Sequence, residues 1–429
     1  MTENKKIKLL ILASDNAGVG SWRSIWPSVE IEKYYNDKFD VEIGHNAVDY
    51  NDISYFKQFD IIHFHRQLGP FENIDNFFKE LKDAGVILCC DIDDYWSPPV
   101  THPMYQLAMK EKLPEKISKT LRKSDYVTTT TDIFKNHILA LNKNVIVMPN
   151  GIDIKNPMWK DENTRVSEDD KRVRIGYIAG SSHFHDLKLI EPSIKLLHND
   201  SSLKGKYQIV MCGYDTRGHV TMVDEFNNAQ QTRKILPHET IWNKFEEILT
   251  DNYNENLISP EYKKWLLRYK NEEYPASIGE NLLSENYVRR WTLPLTQYGK
   301  HYNYADVVLA PLVDNTFNQS KSELKAIECG FKHKVLIAQD YSIHGKIIKH
   351  GENGLLVRKS ANEKGWYTQI KHVIENAELR EKLAENLYLY VKDRYDLKNL
   401  TEKRVEEYYK MIERREITNS KELAEAINK

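Results

Sequence analysis

Short apolar runs recur at 6–13, 60–66, 86–90, 124–131 and 144–148, and again at 173–179, 207–212, 307–311 and 334–338. Each is too short for a helix and most are rich in β-branched residues, which predicts parallel strands buried on both faces. Stretches with helical spacing lie between them: after Ser21 through Trp26 and Val29, over 132–141, and from Asp186 onward. Alternating strand and helix predict an α/β fold. Two stretches break the rhythm. Residues 154–171 are polar and poorly periodic and read as a linker. Residues 216–285 are charged, dotted with Tyr and Trp, helical only at 241–249 and 260–270, and read as an insertion. The chain thus divides into a domain over 1–155, a linker over 156–171, a second domain over 172–395 with insertion 216–285, and a C-terminal helical segment over 396–429. The charged end past Glu413 is expected to fray.

The most informative stretch is 306–340, DVVLAPLVDNTFNQSKSELKAIECGFKHKVLIAQD. It predicts a strand at 307–311, a polar loop, a helix over 320–329 and a strand from 334. Ser320 followed by Glu323 has the spacing of a capping box, and Gly330 is the expected helix stop. On that helix Leu324 and Ile327 can pack, while Lys321, Lys325 and Glu328 share one side. Seven helical residues rise by about 10 Å. A cation at the first turn and a carboxylate two turns on match the span from a diphosphate to a ribose, and a helix N-terminus attracts phosphate. The same residues also fit a capped surface helix whose charges meet only water.

The other strand ends carry the remaining candidates. Gly18-Val19-Gly20 follows the first strand, either as a tight turn or as a loop that lets a ligand approach backbone. Arg23 lies just after it; Trp22 and Trp26, four apart, read as packing. His63 and His65 alternate with Ile62 and Phe64, and no third ligand stands near enough for metal. Asp91, Asp93 and Asp94 crowd one strand end, so the folded chain must offer them donors or a cation. Asp93 is expected to orient a hydroxyl or accept its proton, or else to form an Asx-turn and cap a helix. Pro149-Asn150-Gly151 ends a strand with an expected tight turn. Gly180-Ser181-Ser182-His183 is a small-residue turn before a helix, with exposed amides that suit a diphosphate.

Composition narrows the class. A chain of 429 residues with 41% apolar residues can fill two cores. A net charge of −2 supplies no global basic field for nucleic acid. No run of eighteen apolar residues occurs, which predicts no transmembrane helix. The apolar run at the start reads as a first strand rather than a signal peptide, because no small-residue cleavage site follows. The four cysteines, Cys89, Cys90, Cys212 and Cys329, show no metal spacing. Adjacent Cys89 and Cys90 point to opposite faces, and a reducing cytoplasm fits.

The stretch 306–340 resembles the donor-nucleotide motif of family-4 retaining GT-B glycosyltransferases, which carry two Glu separated by seven residues. Glu328 matches the second, which grips ribose hydroxyls; Ser320 stands where the first would fall. Lys321-Ser322 resembles the helix start of a bacterial and phage sub-group, whose members also tend to show the run that here reads Ile92-Asp93-Asp94. DIIHFHR at 60–66, PNGID at 149–153 and GENGLLV at 351–357 are similar to further family segments and occur in family order. The resemblance implies two Rossmann-like domains facing a cleft, with the last helix crossing back to the first domain near Tyr388 and Tyr395. It implies a cytoplasmic, metal-independent enzyme with no cofactor, which takes a nucleotide-sugar as substrate and passes the sugar to an acceptor glycan, lipid-linked glycan or modified nucleobase. Asp93, His65 and Lys321 would serve catalysis. Gly18, Gly20, Arg23, Gly180, Ser181, Ser182, His183, Ser320, Ser322 and Glu328 would hold the donor. The family has an Arg and a Lys on the loop that here reads Gly180–His183, so Lys321 and neutral donors take more of the phosphate work. Two rivals remain: a DNA-modifying glycosyltransferase acting on a modified base, which the near-zero charge argues against, and a non-catalytic nucleotide- or sugar-binding protein of the same fold.

Overall fold

The computed structural model describes residues 5–45, 48–69, 71–223, 230–271, 280–360 and 363–427. The chain divides into two compact units. Unit 1 contains Met1–Asp153, Asn315–Ile327 and Val391–Lys429; unit 2 contains Ile154–Asp314 and Glu328–Tyr390.

Unit 1 is built on six parallel strands: β1 (Ile7–Ala13), β2 (Phe39–His45), β3 (Ile61–His65), β4 (Ile87–Ile92), β5 (Tyr126–Thr129) and β6 (Val145–Val147). Their order is β2-β1-β3-β4-β5-β6. The chain runs out to β2 and returns on the other side of β1, so strand order reverses between β1 and β3. Sites of open α/β sheets form at the carboxyl ends of the strands flanking such a reversal. Side chains alternate across the sheet. Leu10, Leu12, Ile62, Phe64, Leu88 and Cys90 pack with Phe77, Phe78 and Phe134 on one face. Leu9, Ile11, Ile61, Ile87 and Cys89 pack on the other with Tyr408 and Met411 of the helix Leu397–Ile427. Cys89 and Cys90 therefore do face opposite ways. The C-terminal segment past Glu413 is helical to Ile427, and Arg415 donates to the Gly85 carbonyl.

Pro149-Asn150-Gly151 makes no tight turn. Gly151 runs extended into a bridge between Ile152 and Asp396, and a Cβ on Gly151 would come within 3.0 Å of the Leu397 Cα. The glycine serves close packing rather than a reversal.

Unit 2 has strands β7 (Val173–Ile178), β8 (Tyr207–Tyr214), β9 (His219–Val223), β10 (Gln230–Lys234), β11 (Tyr287–Trp291), β12 (Val307–Ala310), β13 (Val335–Asp340) and β14 (Leu355–Arg358). The parallel sheet runs β11-β8-β7-β12-β13-β14, and β9 and β10 form a separate antiparallel ribbon. Here the order reverses between β7 and β12. Within the linker-like stretch, Met158 and Trp159 pack inward while most of 160–171 is exposed. Trp159 is buried, and Gly299 has no room for a side chain because Met158 and Trp159 lie within 2.7 Å of where its Cβ would stand. Part of the 216–285 stretch is built into the unit's interior. Trp242, Phe245 and Ile248 of the helix Ile241–Leu249, with Tyr262 and Leu266 of Pro260–Asn271, enter the unit's main core. Within it Glu246 receives Arg289 at 3.2 Å and the hydroxyls of Tyr262 and Tyr287 at 3.0 and 3.1 Å. Residues 224–229 and 272–279 of that stretch lie outside the described residues.

Candidate functional site

At the carboxyl ends of β3 and β4 in unit 1, charged side chains converge. His65 ends β3, and its Nε2 bonds the Asp93 Oδ1 at 2.9 Å. Arg66 donates to the same oxygen at 2.9 Å. Burial pushes the Asp93 carboxyl up, but the Arg66 charge and the His65 hydrogen bond outweigh it and hold the group well below the usual carboxylate range. Because Asp93 accepts from Nε2–H, neutral His65 leaves Nδ1 as the acceptor. Arg66 itself adopts φ 62°, a left-handed conformation that a non-glycine residue keeps only where its surroundings over-determine it. Lys321 meets the Asp94 Oδ1 at 3.0 Å, and its ammonium lies 4.6 Å from the centre of the Phe317 ring. The His102 ring packs on the other aromatic, 5.1 Å from Phe317.

Beneath this cluster lies a second network. Arg23 meets Asp91 through two bonds, at 2.7 and 3.0 Å. It also donates to the Met148 carbonyl at 2.6 Å and the Asn150 Oδ1 at 3.1 Å. Asn150 in turn donates to the Ser322 Oγ at 3.1 Å. Burial pushes Asp91 up, but the charge and hydrogen bonds of Arg23 bring it down to about 2. Arg23 is thus a buried strut that ties β4 to the segment at 148–150. The crowded aspartates do receive cations, as their repulsion demanded: Arg23 for Asp91, Arg66 for Asp93, Lys321 for Asp94.

The loop carrying Lys321 is built differently from the sequence pattern. A short helix covers Thr316–Gln319, capped by the Asn315 side chain, and the next helix starts only at Leu324. Ser320 is buried, and its hydroxyl donates to the Thr316 carbonyl at 3.1 Å, so it closes the short helix rather than opening the next. The amides of Ser320 and Lys321 go to the Phe317 and Asn318 carbonyls. Glu323 turns inward. It is buried, its Oε2 has no hydrogen-bond partner, and burial pushes its carboxyl up to about 7. Gly330 does not stop the helix, which runs to Phe331; His333 takes the left-handed position at φ 48°, and Lys334 bonds back to the Cys329 carbonyl. Lys321 and Glu328 therefore do not share a helix face.

Gly18 and Gly20 also differ from the expected turn. Gly18–Gly20 is already helical and leads into a π-helical turn over Ser21–Ile25. The Asp15 carboxylate accepts from the amides of Ala17 and Gly20, at 2.9 and 3.1 Å. A Cβ on Gly20 would sit 1.8 Å from the Asp15 carbonyl oxygen, so the glycine is there for this close approach. Trp22 and Trp26 pack edge to face, with ring centres 4.8 Å apart.

In unit 2 the turn Gly180–His183 follows the carboxyl end of β7. Gly180 and Ser181 are exposed, and His183 bonds Asp186 at 2.8 Å. The other Asp186 oxygen accepts the Val313 amide at 2.8 Å, tying this turn to the loop after β12. Glu328 is buried and accepts from the hydroxyls of Tyr302 and Tyr298, the latter at 3.3 Å. Asn150, Asp186 and Glu323 went unremarked as site residues. Their only sequence signals were a buried Asn in a Pro-Asn-Gly run, an Asp at a helix start, and a Glu that mimicked a cap. No group of three His, Cys, Asp or Glu side chains among the described residues is placed to hold a metal ion.

Two six-stranded parallel sheets of these orders, layered with helices, are the GT-B fold of glycosyltransferases. No protein-family model matches the chain, and no curated protein matches it in sequence. Among solved structures it is similar to HepE from Anabaena in complex with UDP and glucose, at 13% identity and TM-score 0.56, over 94% of this chain and 100% of that one. It is also similar to sucrose-phosphate synthase from Thermosynechococcus elongatus, at 10% identity and TM-score 0.56, over 95% and 99% of the two chains. The catalytic domain of Arabidopsis thaliana starch synthase IV, bound to ADP and acarbose, matches at 12% identity and TM-score 0.57, over 95% and 99%. At such identities the likeness is one of fold.

Proposed function

We propose that the chain is a glycosyltransferase that moves a sugar, of hexosyl type, from a nucleotide-sugar donor to an acceptor, with retention of configuration and without a metal ion. The observation that carries this reading is the cluster at the ends of β3 and β4. There an ionised Asp93, fixed by His65 and Arg66, stands with a Lys321 ammonium held by Asp94. A departing nucleoside diphosphate needs cations, and Lys321 can exchange the single charge of Asp94 for the larger charge of a phosphate. Asp93 is too acidic to be a good proton acceptor at neutral pH. Its role in this reading is to take a hydrogen bond from a sugar hydroxyl, while His65 holds it in place. Each of the three clustered aspartates already has a protein cation, so the site balances its charge without a divalent ion.

In the same reading Glu328, oriented by Tyr298 and Tyr302, takes the ribose hydroxyls, and the Gly180–His183 turn offers amides and hydroxyls to the diphosphate. The family-4-like label and its Lys-Ser sub-group rest on the Lys321-Ser322 and Asp93-Asp94 runs. An acceptor glycan, a lipid-linked glycan or a modified nucleobase remain the acceptor classes. No helix among the described residues is long and apolar enough to cross a membrane, and all four cysteines are buried and free, which supports a reducing, cytoplasmic setting. Thermal-shift titrations with UDP-, GDP-, ADP- and dTDP-sugars test the donor claim. One donor class should raise the melting temperature in proportion to the logarithm of its concentration, and less in Lys321→Ala. No response to any of the four would sink the reading.

A further inference from the structure

We propose that unit 2 carries a second, separate ligand site at the amino edge of its sheet, where Lys334 and Lys171 bind the phosphate group of a small molecule. A cavity of about 210 Å³ opens beside the first residues of β7 and β13. Its wall holds five cations, Arg165, Lys171, Arg172, Lys334 and Arg380, against two carboxylates, Asp306 and Glu381. That local excess of three positive charges stands in a chain whose net charge is −2.

The charges in this wall are not balanced pair by pair. Asp306 is already shared by Arg165 at 2.7 Å and Arg174 at 2.9 Å. Arg172 is held by Asp170 at 2.8 Å, and Arg380 by the Val373 and Ile374 carbonyls. These bonds fix the arginines in the wall. Lys334 is different. Its side chain is half-buried just before β13 and makes no hydrogen bond or close ion pair among the described residues, although the Asp306 charge acts on it. Burial pushes its pKa down to about 8, and the Asp306 carboxylate offsets that only in part. Lys171, exposed at the mouth, likewise has no partner among the described residues. Two uncommitted ammonium groups backed by fixed guanidinium groups form a receptor for an anion of more than one charge.

Size limits the ligand. Pockets for drug-sized molecules span roughly 300–1,000 Å³. This one suits a phosphate with at most a small organic body. Location separates it from the donor site, because the Gly180–His183 turn lies at the other end of β7. Six residues of strand span about 20 Å.

The probes are inorganic phosphate and, in a second arm, glucose 6-phosphate, titrated calorimetrically into the full chain in chloride buffer at constant ionic strength. At least one should bind, and the tighter arm distinguishes free phosphate from a sugar phosphate. Lys334→Met and Lys171→Ser should each weaken that binding by about tenfold, the loss of one charge-assisted contact. Lys321→Ala should leave it unchanged. No binding of either probe, wild-type affinity in both lysine variants, or loss of binding in Lys321→Ala would each overturn the proposal, the last by assigning the phosphate to the donor site. If Lys334→Met does not fold, Lys171→Ser alone decides, since its exposed side chain carries no packing.

Discussion

Replacing Arg23 by Met tests how the candidate site is held together. The substitution keeps the aliphatic stem and removes four hydrogen bonds: two to Asp91, at 2.7 and 3.0 Å, and one each to the Met148 carbonyl and the Asn150 side chain. Both partners of the ion pair are 1% exposed. Asp91 would keep only the Thr128 hydroxyl at 2.6 Å from this group of contacts. Removing one member of a buried pair costs about 3–5 kcal/mol, because the other charge stays buried. The pH dependence gives an independent check. In the wild type, Arg23 holds Asp91 down to about 2, below the ordinary carboxylate value of 3.8, so it stabilises the fold above pH 3.8 and loses that contribution as pH falls through 2. The difference of about two units is worth about 2 kcal/mol. Without Arg23, burial prevails and the Asp91 pKa rises above 3.8. The sign then reverses: the variant carries the full cost at high pH and sheds it on acidification as Asp91 takes a proton. Urea unfolding should therefore find Arg23→Met about 4 kcal/mol less stable at pH 8, with a gap at least 1 kcal/mol smaller at pH 5. Adding Asp91→Leu should recover more than half of the loss. A gap below 1 kcal/mol at pH 8, or an equal gap at both pH values, would refute the reasoning.

Glu323→Gln should change how stability depends on pH. Burial places the wild-type carboxyl at about 7 against its ordinary value of 4.5, so its cost is absent below pH 4.5 and complete above 7, up to about 3 kcal/mol. The variant should gain on the wild type between pH 5 and 8 in urea unfolding; parallel curves would contradict the buried, protonated state. Lys321→Ala should weaken nucleoside diphosphate binding about tenfold by calorimetry while leaving the melting temperature unchanged, since its pair with Asp94 is partly exposed and worth little to the fold. Asp94→Asn should instead tighten nucleotide binding about threefold, because it removes the carboxylate that competes for Lys321. Weaker binding in Asp94→Asn would mean that Asp94 positions the lysine rather than competing for it.

The parallel strands were legible because buried strands are apolar on both faces; the runs at 6–13, 60–66 and 307–311 match β1, β3 and β12 closely. β2, FDVEIGH, went unseen. It pairs only with β1, and as an edge strand it alternates Asp40 and Glu42 with apolar residues. Local patterns failed where tertiary contacts took the same groups. Ser320 and Glu323 have capping-box spacing, yet the serine closes the preceding short helix and the glutamate is drawn into the core. Gly18-Val19-Gly20 looks like a turn, but the Asp15 carboxylate accepts the Ala17 and Gly20 amides and a helix begins there. The polar cluster shows the same limit. Crowding at Asp91, Asp93 and Asp94 told that cations must be near, but their identity depends on residues 23, 66 and 321, which only the fold assembles. The Trp and Tyr residues of 216–285 looked irregular because they pack around a buried charge, Glu246 with Arg289, rather than along a simple apolar stripe.

The most direct measurement is release of nucleoside diphosphate and labelled sugar when the purified chain is incubated with radiolabelled UDP-, GDP-, ADP- and dTDP-sugars. One of the four should be consumed, with sugar passed to water or to an added acceptor, and Lys321→Ala should slow that release by about a hundredfold or more. A folded protein that consumes none of them, or a Lys321→Ala variant as fast as the wild type, would contradict the assignment of sugar transfer to this site.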